Sequence, residues 1–519
     1  MLGKIFQGKS DHPLADAGEL RRVLHELPAD NAFRSLDEIM GWLESCEAGD
    51  LAGFTRFSIV RQLDEAAQPH LKRLARDYLH SPRLSRSEER RLWTIIHGFW
   101  EVVARQYECC LEGAEAKDRN GEQLKPHLPL LTARIIAALG TALKWQHFRY
   151  GPVQGDHWVR MGRPYLLAER LGFSGKTLQM YPGQGGVASP AGEYLKVLLF
   201  QSSSLDCLLP LEIELAERLI AHLLPDFILT RESGPGSVYW VDAARPMPPV
   251  RLAQLPDTLA PTLRFFQPGE AENRLLALIR EIERGNEVPA SLNLGGSYPA
   301  KTVLPVMRHL ASYWAPVPPQ RQHVRHRVKH RVAVLPGLVN AFVVFSPEFG
   351  GKPMGLPLES WIVENVSRGG FGATVQEIKG DWLKVGALLA LQPEGAENWV
   401  VGVVRRYHRV SDQEAQVGIE TLSRRIASVE IRPRAASSYA IDAGAPGLWL
   451  QDDNPQGEVR FVLPVHTFDV RESLEFDYNG RRVFLAPVAL LEQGSDYEVA
   501  RYRATVAAPA AIGGRGAQA

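Results

Sequence analysis

Apolar residues recur at helical spacing over the first 225 or so residues of the chain. The run from Phe33 to Leu43 is an example, because its apolar residues stand three and four positions apart and so share one helix face. Further helices are predicted at about 130 to 149, 157 to 171, 190 to 204 and 210 to 223. This part of the chain is therefore predicted to be a mainly α-helical domain with antiparallel helix packing.

The start of one helix is marked by a local motif. Ser85 is followed three residues later by Glu88, ahead of an apolar run that includes Leu92 and Phe99. A serine and a glutamate at this spacing form a capping box, in which each side chain binds the backbone N–H of the other residue. We therefore predict that a helix begins just after Ser85.

The residue pattern changes between the helices near the end of this domain. Residues 226 to 265 mix short β-prone pieces with many prolines, which favours a hairpin or an irregular cover. Helical spacing returns at about 269 to 285 and 299 to 314. The helical domain is predicted to span 1 to 312 with an insert at about 226 to 265.

A linker and a basic arm follow the helical domain. Residues 315 to 320 are rich in proline, and residues 321 to 331 are dense in arginine, histidine and lysine. We assign 313 to 326 to the linker and the start of the arm.

After residue 331 the apolar pattern changes to a period of two, which is typical of strands. Short strands separated by Gly and Pro predict a small antiparallel β-barrel over 327 to 430. The predicted strand segments are 332 to 334, 342 to 345, 361 to 363, 371 to 375, 383 to 391, 399 to 404 and 416 to 421.

The last part of the chain is also β-prone. Alternating Leu474, Phe476 and Tyr478 lead into Asn479-Gly480, a sequence that favours a two-residue hairpin turn. We predict a β-rich C-terminal extension over 431 to 506 and a disordered tail over 507 to 519, which is mostly Ala, Gly and Pro. The fold class is thus multidomain α+β.

Charge and cysteine content exclude several classes of protein. The chain has 59 Lys and Arg against 59 Asp and Glu, so it has no overall charge for coating nucleic acid or an anionic membrane. We found no uninterrupted apolar run of about 20 residues, and we expect a cytoplasmic protein without membrane insertion. The four cysteines lack CxxC spacing and are expected to be buried thiols, without a metal site or a disulfide framework.

Two short segments carry the chemistry that we consider most informative. Arg327 and Arg331 stand four residues apart immediately before a predicted strand, and Asn365, Ser367 and Gly370 lie between two others. Arginine offers a planar fork of donors for phosphate or for the acceptor edge of guanine. Asparagine offers an amide and a carbonyl to a base edge, serine a hydroxyl, and glycine close approach of the backbone. A few such bonds, at about 1.5 to 3 kcal/mol each, suffice for micromolar binding, which needs about 8 kcal/mol.

The RxxxR arm, the [D/N]xSxxG segment and the barrel together resemble the PilZ domain family of bacterial cyclic di-GMP receptors. This resemblance implies that the barrel is six-stranded and antiparallel. Segments 383 to 389, 402 to 404 and 417 to 420 are similar to later strands of that family. The resemblance covers about a fifth of the chain, and its specificity rests on both motifs in the correct order and strand context.

The resemblance implies a role for each matching residue. Arg327 and Arg331 would wrap cyclic di-GMP, whereas Asn365, Ser367 and Gly370 would contact guanine on the barrel side. Asn365 replaces the more common aspartate and so lacks a carboxylate for guanine N1 and N2. The resemblance also implies a receptor that is not an enzyme, has no cofactor and no catalytic residue, and has a protein partner through the helical domain.

Other interpretations of the same segments compete with this one. Arg321 and Arg325 form a second RxxxR, but Arg331 directly precedes the strand, so we prefer Arg327 and Arg331 and keep Arg325 as an assisting residue. The histidines of the arm lack an identifiable third metal ligand. Residues 295 to 302 are close to a phosphate-binding loop, although Ser297 as a helix cap and Pro299 as the helix start are the preferred interpretation.

Two other functions compete with the interpretation of the chain as a cyclic di-GMP receptor. One is a barrel that has lost its ligand and serves as a docking module for proteins, which the presence of both arginines disfavours. The other is an enzyme in the helical half, where the sequence offers no nucleophile, acid/base pair or metal constellation. Mixed charge signs in the helices also disfavour a nucleic-acid effector.

Overall fold

A computed structural model describes residues 10–48, 51, 53–81, 84–114, 119–183, 185–254, 256, 258–317, 323–346, 355–380, 382–434, 444–451 and 457–506. The contacts within the chain divide it into two compact units, Met1–Gln320 and Arg321–Ala519. The predicted tail over 507 to 519 and Arg321 lie outside the described residues. The first unit is mainly helical and the second is mainly β, as the sequence predicted.

The described part of the first unit contains eleven α-helices. They are α1 Ala17–Glu26, α2 Ala32–Ala48, α3 Gly53–His80, α4 Arg86–Ala114, α5 Arg119–Leu124, α6 Leu128–Phe148, α7 Asp156–Arg170, α8 Pro190–Ser202, α9 Pro210–Leu223, α10 Ala271–Gly285 and α11 Ala300–Trp314. One hydrophobic cluster runs through the unit from Leu14 to Trp314. The capping box is confirmed, because Ser85 N–H donates to Glu88 Oε2 at 3.0 Å and Glu88 N–H donates to Ser85 Oγ at 3.3 Å.

Helix α6 lies at the centre of this unit and is buried on almost every side. The segment Gly121–Phe148 is long and apolar enough to cross a membrane, and 67% of its most apolar stretch is buried in the protein. A helix that is apolar all round is expected at the core of a large helical domain. The burial of this segment is therefore explained by packing against its neighbouring helices.

A polar network lies inside the same helical core. Asp64 of α3 accepts hydrogen bonds from Tyr107 Oη at 2.8 Å, from Tyr181 Oη at 3.2 Å and from Arg134 Nη1 at 3.3 Å. The side chains of Asp64 and Arg134 are each only 1% exposed. Because a buried charge is costly without a partner, this network fixes α3, α4, α6 and the segment around Tyr181 to one another.

The proline-rich insert forms a four-stranded antiparallel sheet. Its strands are β1 Ile228–Thr230, β2 Tyr239–Asp242, β3 Val250–Arg251 and β4 Leu263–Gln267, in the order β1-β4-β2-β3. Tyr239 and Phe266 join the main core, whereas Trp240 and Phe265 form a small cluster on the other face. The insert is thus more regular than the sequence indicated.

The second unit contains two closed six-stranded barrels. The first has the order β10-β7-β6-β5-β8-β9, and the second has the order β11-β12-β13-β16-β15-β14. The strands are β5 His326–Pro336, β6 Glu359–Ser367, β7 Gly370–Val375, β8 Leu388–Pro393, β9 Val400–Arg409, β10 Ala415–Ser423, β11 Ile426–Pro433, β12 Ala445–Leu450, β13 Glu458–Leu463, β14 Leu474–Tyr478, β15 Arg481–Gln493 and β16 Glu498–Val506. The predicted first barrel is confirmed, and the β-rich extension closes into a barrel of its own.

The two barrels are joined tightly. Only Arg424 and Arg425 separate β10 from β11. One hydrophobic cluster contains Leu388 and Val401 of the first barrel together with Leu448 and Val499 of the second. Arg405 of β9 also donates a hydrogen bond to each carboxylate oxygen of Glu492 on β15, at 2.6 Å in both cases. The two barrels therefore share part of their core.

The predicted hairpin at Asn479-Gly480 is confirmed. Both residues have positive φ, at 50° and 72°, and they connect β14 to β15. A two-residue turn of this kind requires positive φ at both positions, which Asn and Gly tolerate best.

Three local predictions were wrong. Residues 342 to 345 belong to a helix, α12 Gly337–Phe345, because a short apolar run without alternation does not distinguish helix from strand. The strand predicted from 383 begins only at Leu388, since Gly386 turns the chain with a φ of 81°. Ser297 does not cap α11, whose N-cap position is held by Pro299.

Candidate functional site

The basic arm enters the first barrel as its strand β5, and Arg327 lies directly opposite Asn365 on β6. Residues that stand opposite each other in an antiparallel pair point to the same face, with Cβ atoms about 4.5 to 5.5 Å apart. Arg327 is exposed and Asn365 is half-buried. The pairing therefore places one arginine of the arm beside the amide of the second motif.

Asn365 is positioned by a bulge in β6. The register of β6 against β7 shifts between Val363 and Asn365, so Glu364 is an extra residue and binds Thr374 through its carboxylate at 2.6 Å. The Asn365 amide then lies over Gly372, where a Cβ would come within 2.6 Å of Nδ2. Asn365 Oδ1 is buried and has no hydrogen-bond partner among the described residues. Such an atom is costly to leave unpaired, so it is a candidate acceptor for a ligand.

Ser367 and Gly370 close the turn between β6 and β7. Ser367 Oγ donates to the Gly370 carbonyl at 3.1 Å. A side chain at position 370 would collide with the carbonyl oxygen of Ile419 on β10. Glycine at this position, with a φ of 155°, thus allows two strands of the barrel to approach closely. Its contact with a ligand stays a prediction.

Arg331 lies further along β5 and faces a different neighbour. Its guanidinium Nη1 donates to Ser360 Oγ at 3.3 Å, at the start of β6, whereas Asn365 is near the end of that strand. Four residues of strand correspond to roughly 13 Å at about 3.3 Å each, and a bulge between Arg327 and His330 shortens this. Arg327 and Arg331 therefore lie on two separate parts of the barrel surface.

The residues before β5 lie close to the turn of the second motif. A Cβ on Gly369 would be 3.0 Å from Cδ2 of His323. Arg325 follows on the same exposed stretch. The described start of the arm thus runs along the Asn365 side of the barrel.

A shallow cavity of about 330 Å³ opens beside Arg331. Its floor is Ala333, which is directly opposite Ser360 on one side and Gln392 on the other. The cavity is lined by Arg331, Ala333, Leu358, Glu359, Ser360, Gln392, Pro393, Glu394, Gly395 and Ala396. Sequence reasoning missed these residues apart from Arg331, because they come from three strands that only the barrel register brings together.

Comparison with known families identifies the first barrel as a PilZ domain. A family model described as the middle PilZ domain of the cyclic-di-GMP receptor FimW matches residues 356–427, which include β6 to β10. Strand β5, with both arginines, precedes the matched range.

The helical unit matches a second model of the same receptor, its N-terminal domain, over residues 18–233. The two matches together cover more than half of the chain. Residues 356–427 therefore belong to the PilZ domain family, and the chain is similar to the cyclic-di-GMP receptor FimW in both of these domains. No curated protein matches the chain significantly.

Proposed function

We propose that this protein is a non-enzymatic cytoplasmic effector that binds cyclic di-GMP on the first barrel. The ligand contacts are Arg327, Arg331, Asn365, Ser367 and Gly370, with Arg325 assisting. The main support for the proposal is that Arg327 lies directly opposite Asn365, whose buried Oδ1 has no hydrogen-bond partner in the described part of the chain. The matches to a cyclic-di-GMP receptor support this ligand over other anionic nucleotides.

The chemistry of the pair fits one end of the ligand. Arg327 supplies a charged donor fork for a phosphate or for guanine O6 and N7. Asn365 Oδ1 accepts a hydrogen bond from a guanine N–H, which removes the cost of an unpaired buried acceptor. The Ser367 hydroxyl, at the edge of the same turn, is within the same surface region.

Ligand binding is relayed to the helical unit through the arm. Residues 323 to 325, which precede β5, become fixed on the ligand, and the chain continues from them back into α11. This is a local ordering switch of the kind used by many regulated proteins. Hydrogen exchange should report it as protection of residues 323 to 325 and altered exchange in α11 when cyclic di-GMP is added.

Calorimetric titration of the full chain with cyclic di-GMP tests the ligand, with GTP and cyclic GMP as controls. Micromolar or tighter binding to cyclic di-GMP alone is expected. Arg327→Ala should lower the affinity at least tenfold, because it removes charge-assisted bonds of about 1.5 to 3 kcal/mol each. Lys329→Ala is the matched control, since it removes one exposed positive charge from the same strand.

Two outcomes would contradict the proposal. If Lys329→Ala weakened binding as much as Arg327→Ala, the affinity would be a general effect of positive charge. If the native chain bound no cyclic di-GMP, the barrel would instead be a docking module for proteins.

A further inference from the structure

We infer that the cavity beside Arg331 is a second base site, which takes one guanine of the dinucleotide and reads its edge with the Glu394 carboxylate. The inference rests on the proposed function, because it assigns the second base of the same ligand. The first base lies at Arg327 and Asn365. The two sites are separated along β5, as the two bases of an extended cyclic dinucleotide are.

Size and lining suit a planar base. The cavity volume of about 330 Å³ is at the lower end of the range of small-molecule sites, roughly 300 to 1,000 Å³. Ala333 forms a small, partly exposed floor between Ser360 and Gln392. Leu358, which is 45% exposed, supplies an apolar wall. A flat heterocycle can therefore rest on Ala333 with polar groups around its rim.

The polar groups at the rim match guanine. Arg331 offers the donor fork that reads guanine O6 and N7. Glu394 offers a carboxylate that can accept hydrogen bonds from the N1–H and the 2-amino group of guanine. The Asn365 site has an amide in place of a carboxylate, so only the base beside Glu394 would meet a charged acceptor.

The backbone holds Glu394 in place next to Arg331. Glu394 N–H donates to the Arg331 carbonyl at 3.0 Å, and Arg331 N–H donates to Glu394 Oε2 at 3.3 Å. The other cavity carboxylate, Glu359, already accepts from the indoles of Trp361 at 2.9 Å and Trp382 at 3.2 Å. Glu394 is therefore the carboxylate with acceptor capacity for a ligand.

Substitution of Glu394 tests this assignment in the full chain. Glu394→Gln keeps the size of the side chain and removes its charge, and cyclic di-GMP affinity should fall about tenfold. Glu397→Gln is the matched control, because Glu397 is an exposed glutamate of the same β8–β9 connection and does not line the cavity. Thermal melting should show both variants folded as the native chain is.

A ligand analogue makes the test specific for the base edge. Cyclic di-inosine monophosphate lacks the 2-amino groups, and the native chain should bind it at least tenfold more weakly than cyclic di-GMP, because each missing donor leaves a site acceptor unpaired. Glu394→Gln should reduce this ratio, whereas Glu397→Gln should leave it unchanged. Ala333→Leu, which fills the floor, should weaken cyclic di-GMP binding without lowering the melting temperature.

The outcomes separate this inference from the proposed function. Strong native binding with an unchanged affinity or an unchanged analogue ratio in Glu394→Gln overturns the second base site and leaves the receptor function intact. Absence of cyclic di-GMP binding to the native chain overturns both.

Discussion

Arg327 and Asn365 face each other across strands β5 and β6, although 38 positions separate them in the sequence. The arginine belongs to the arm and the asparagine to the turn motif, so barrel closure itself brings the two motifs together. The structure places Arg331 away from this pair, beside Ser360.

Asn365→Asp should tighten cyclic di-GMP binding by about tenfold. An aspartate keeps the size of the side chain and offers a charged acceptor to guanine beside the Arg327 guanidinium, and a charged hydrogen bond is worth about 1.5 to 3 kcal/mol. Calorimetry on the native chain, Asn365→Asp and Asn365→Ala measures the order of affinities. Equal affinities in all three would show that this position does not touch the ligand.

Two glycine substitutions should separate folding from binding. Gly370→Ala pushes a methyl group against the Ile419 carbonyl, and overpacking of this kind costs about 1 to 3 kcal/mol. Its main effect should be a lower melting temperature.

Gly372→Ala meets only the movable end of the Asn365 side chain, at 2.6 Å from Nδ2. It should therefore displace the amide and weaken cyclic di-GMP binding while the melting temperature changes little. The reverse assignment, with Gly372→Ala unfolding the barrel and Gly370→Ala harmless, would contradict the described strand packing.

Asp64→Ala should strongly destabilise the helical unit. The change removes the buried carboxylate that accepts from Tyr107, Tyr181 and Arg134, although Arg134 keeps Glu65 at 2.7 Å. Loss of one member of a buried charged network costs about 3 to 5 kcal/mol. Glu19→Ala is the control, since its ion pair with Arg22 is exposed to solvent and should contribute little to stability. Denaturant unfolding followed by helical circular dichroism measures both, and similar small losses would argue against a role for the network.

The helical unit should lose stability as the pH falls below about 6.5. Burial lowers the pKa of His157 from 6.5, against the opposing effect of Glu101, and burial also lowers the pKa of His97 and of His127. Below the unfolded pKa the unfolded chain binds more protons than the folded chain, so the free energy of unfolding decreases with pH until the folded pKa is passed.

Melting temperatures at pH 7.5 and pH 5.5 check this sign. His157→Gln should reduce the pH dependence, because it removes one of the buried titrating groups. His25→Gln, at an exposed position of the same unit, should leave it unchanged. A native protein that is more stable at pH 5.5 than at pH 7.5 would contradict the direction.

Local signals in the sequence were sufficient for much of the fold. The capping box at Ser85 and the turn at Asn479-Gly480 depend on residues that are neighbours in the chain, and both were found. The helix at Gly337–Phe345 was missed because its apolar residues form an almost unbroken run. The closure of the second barrel depends on long-range pairing of β11 with β14, which no local pattern shows.

The candidate site shows the same limit. The arginines and the Asn-x-Ser-x-x-Gly turn are readable because each is a short motif. Glu394 belongs to no such motif, since only the fold of the barrel brings this residue, just after β8, next to Arg331 of β5. The bulge that turns Asn365 toward Gly372 is likewise a property of strand register.

The shared core of the two barrels limits how the protein can be divided. A cut at Arg424-Arg425 would expose Leu388 and Val401 on one fragment and Leu448 and Val499 on the other, all of which are buried in the intact chain. Each fragment would then carry an apolar patch prone to aggregation. A minimal ligand-binding version of this protein should therefore retain both barrels, residues 323 to 506.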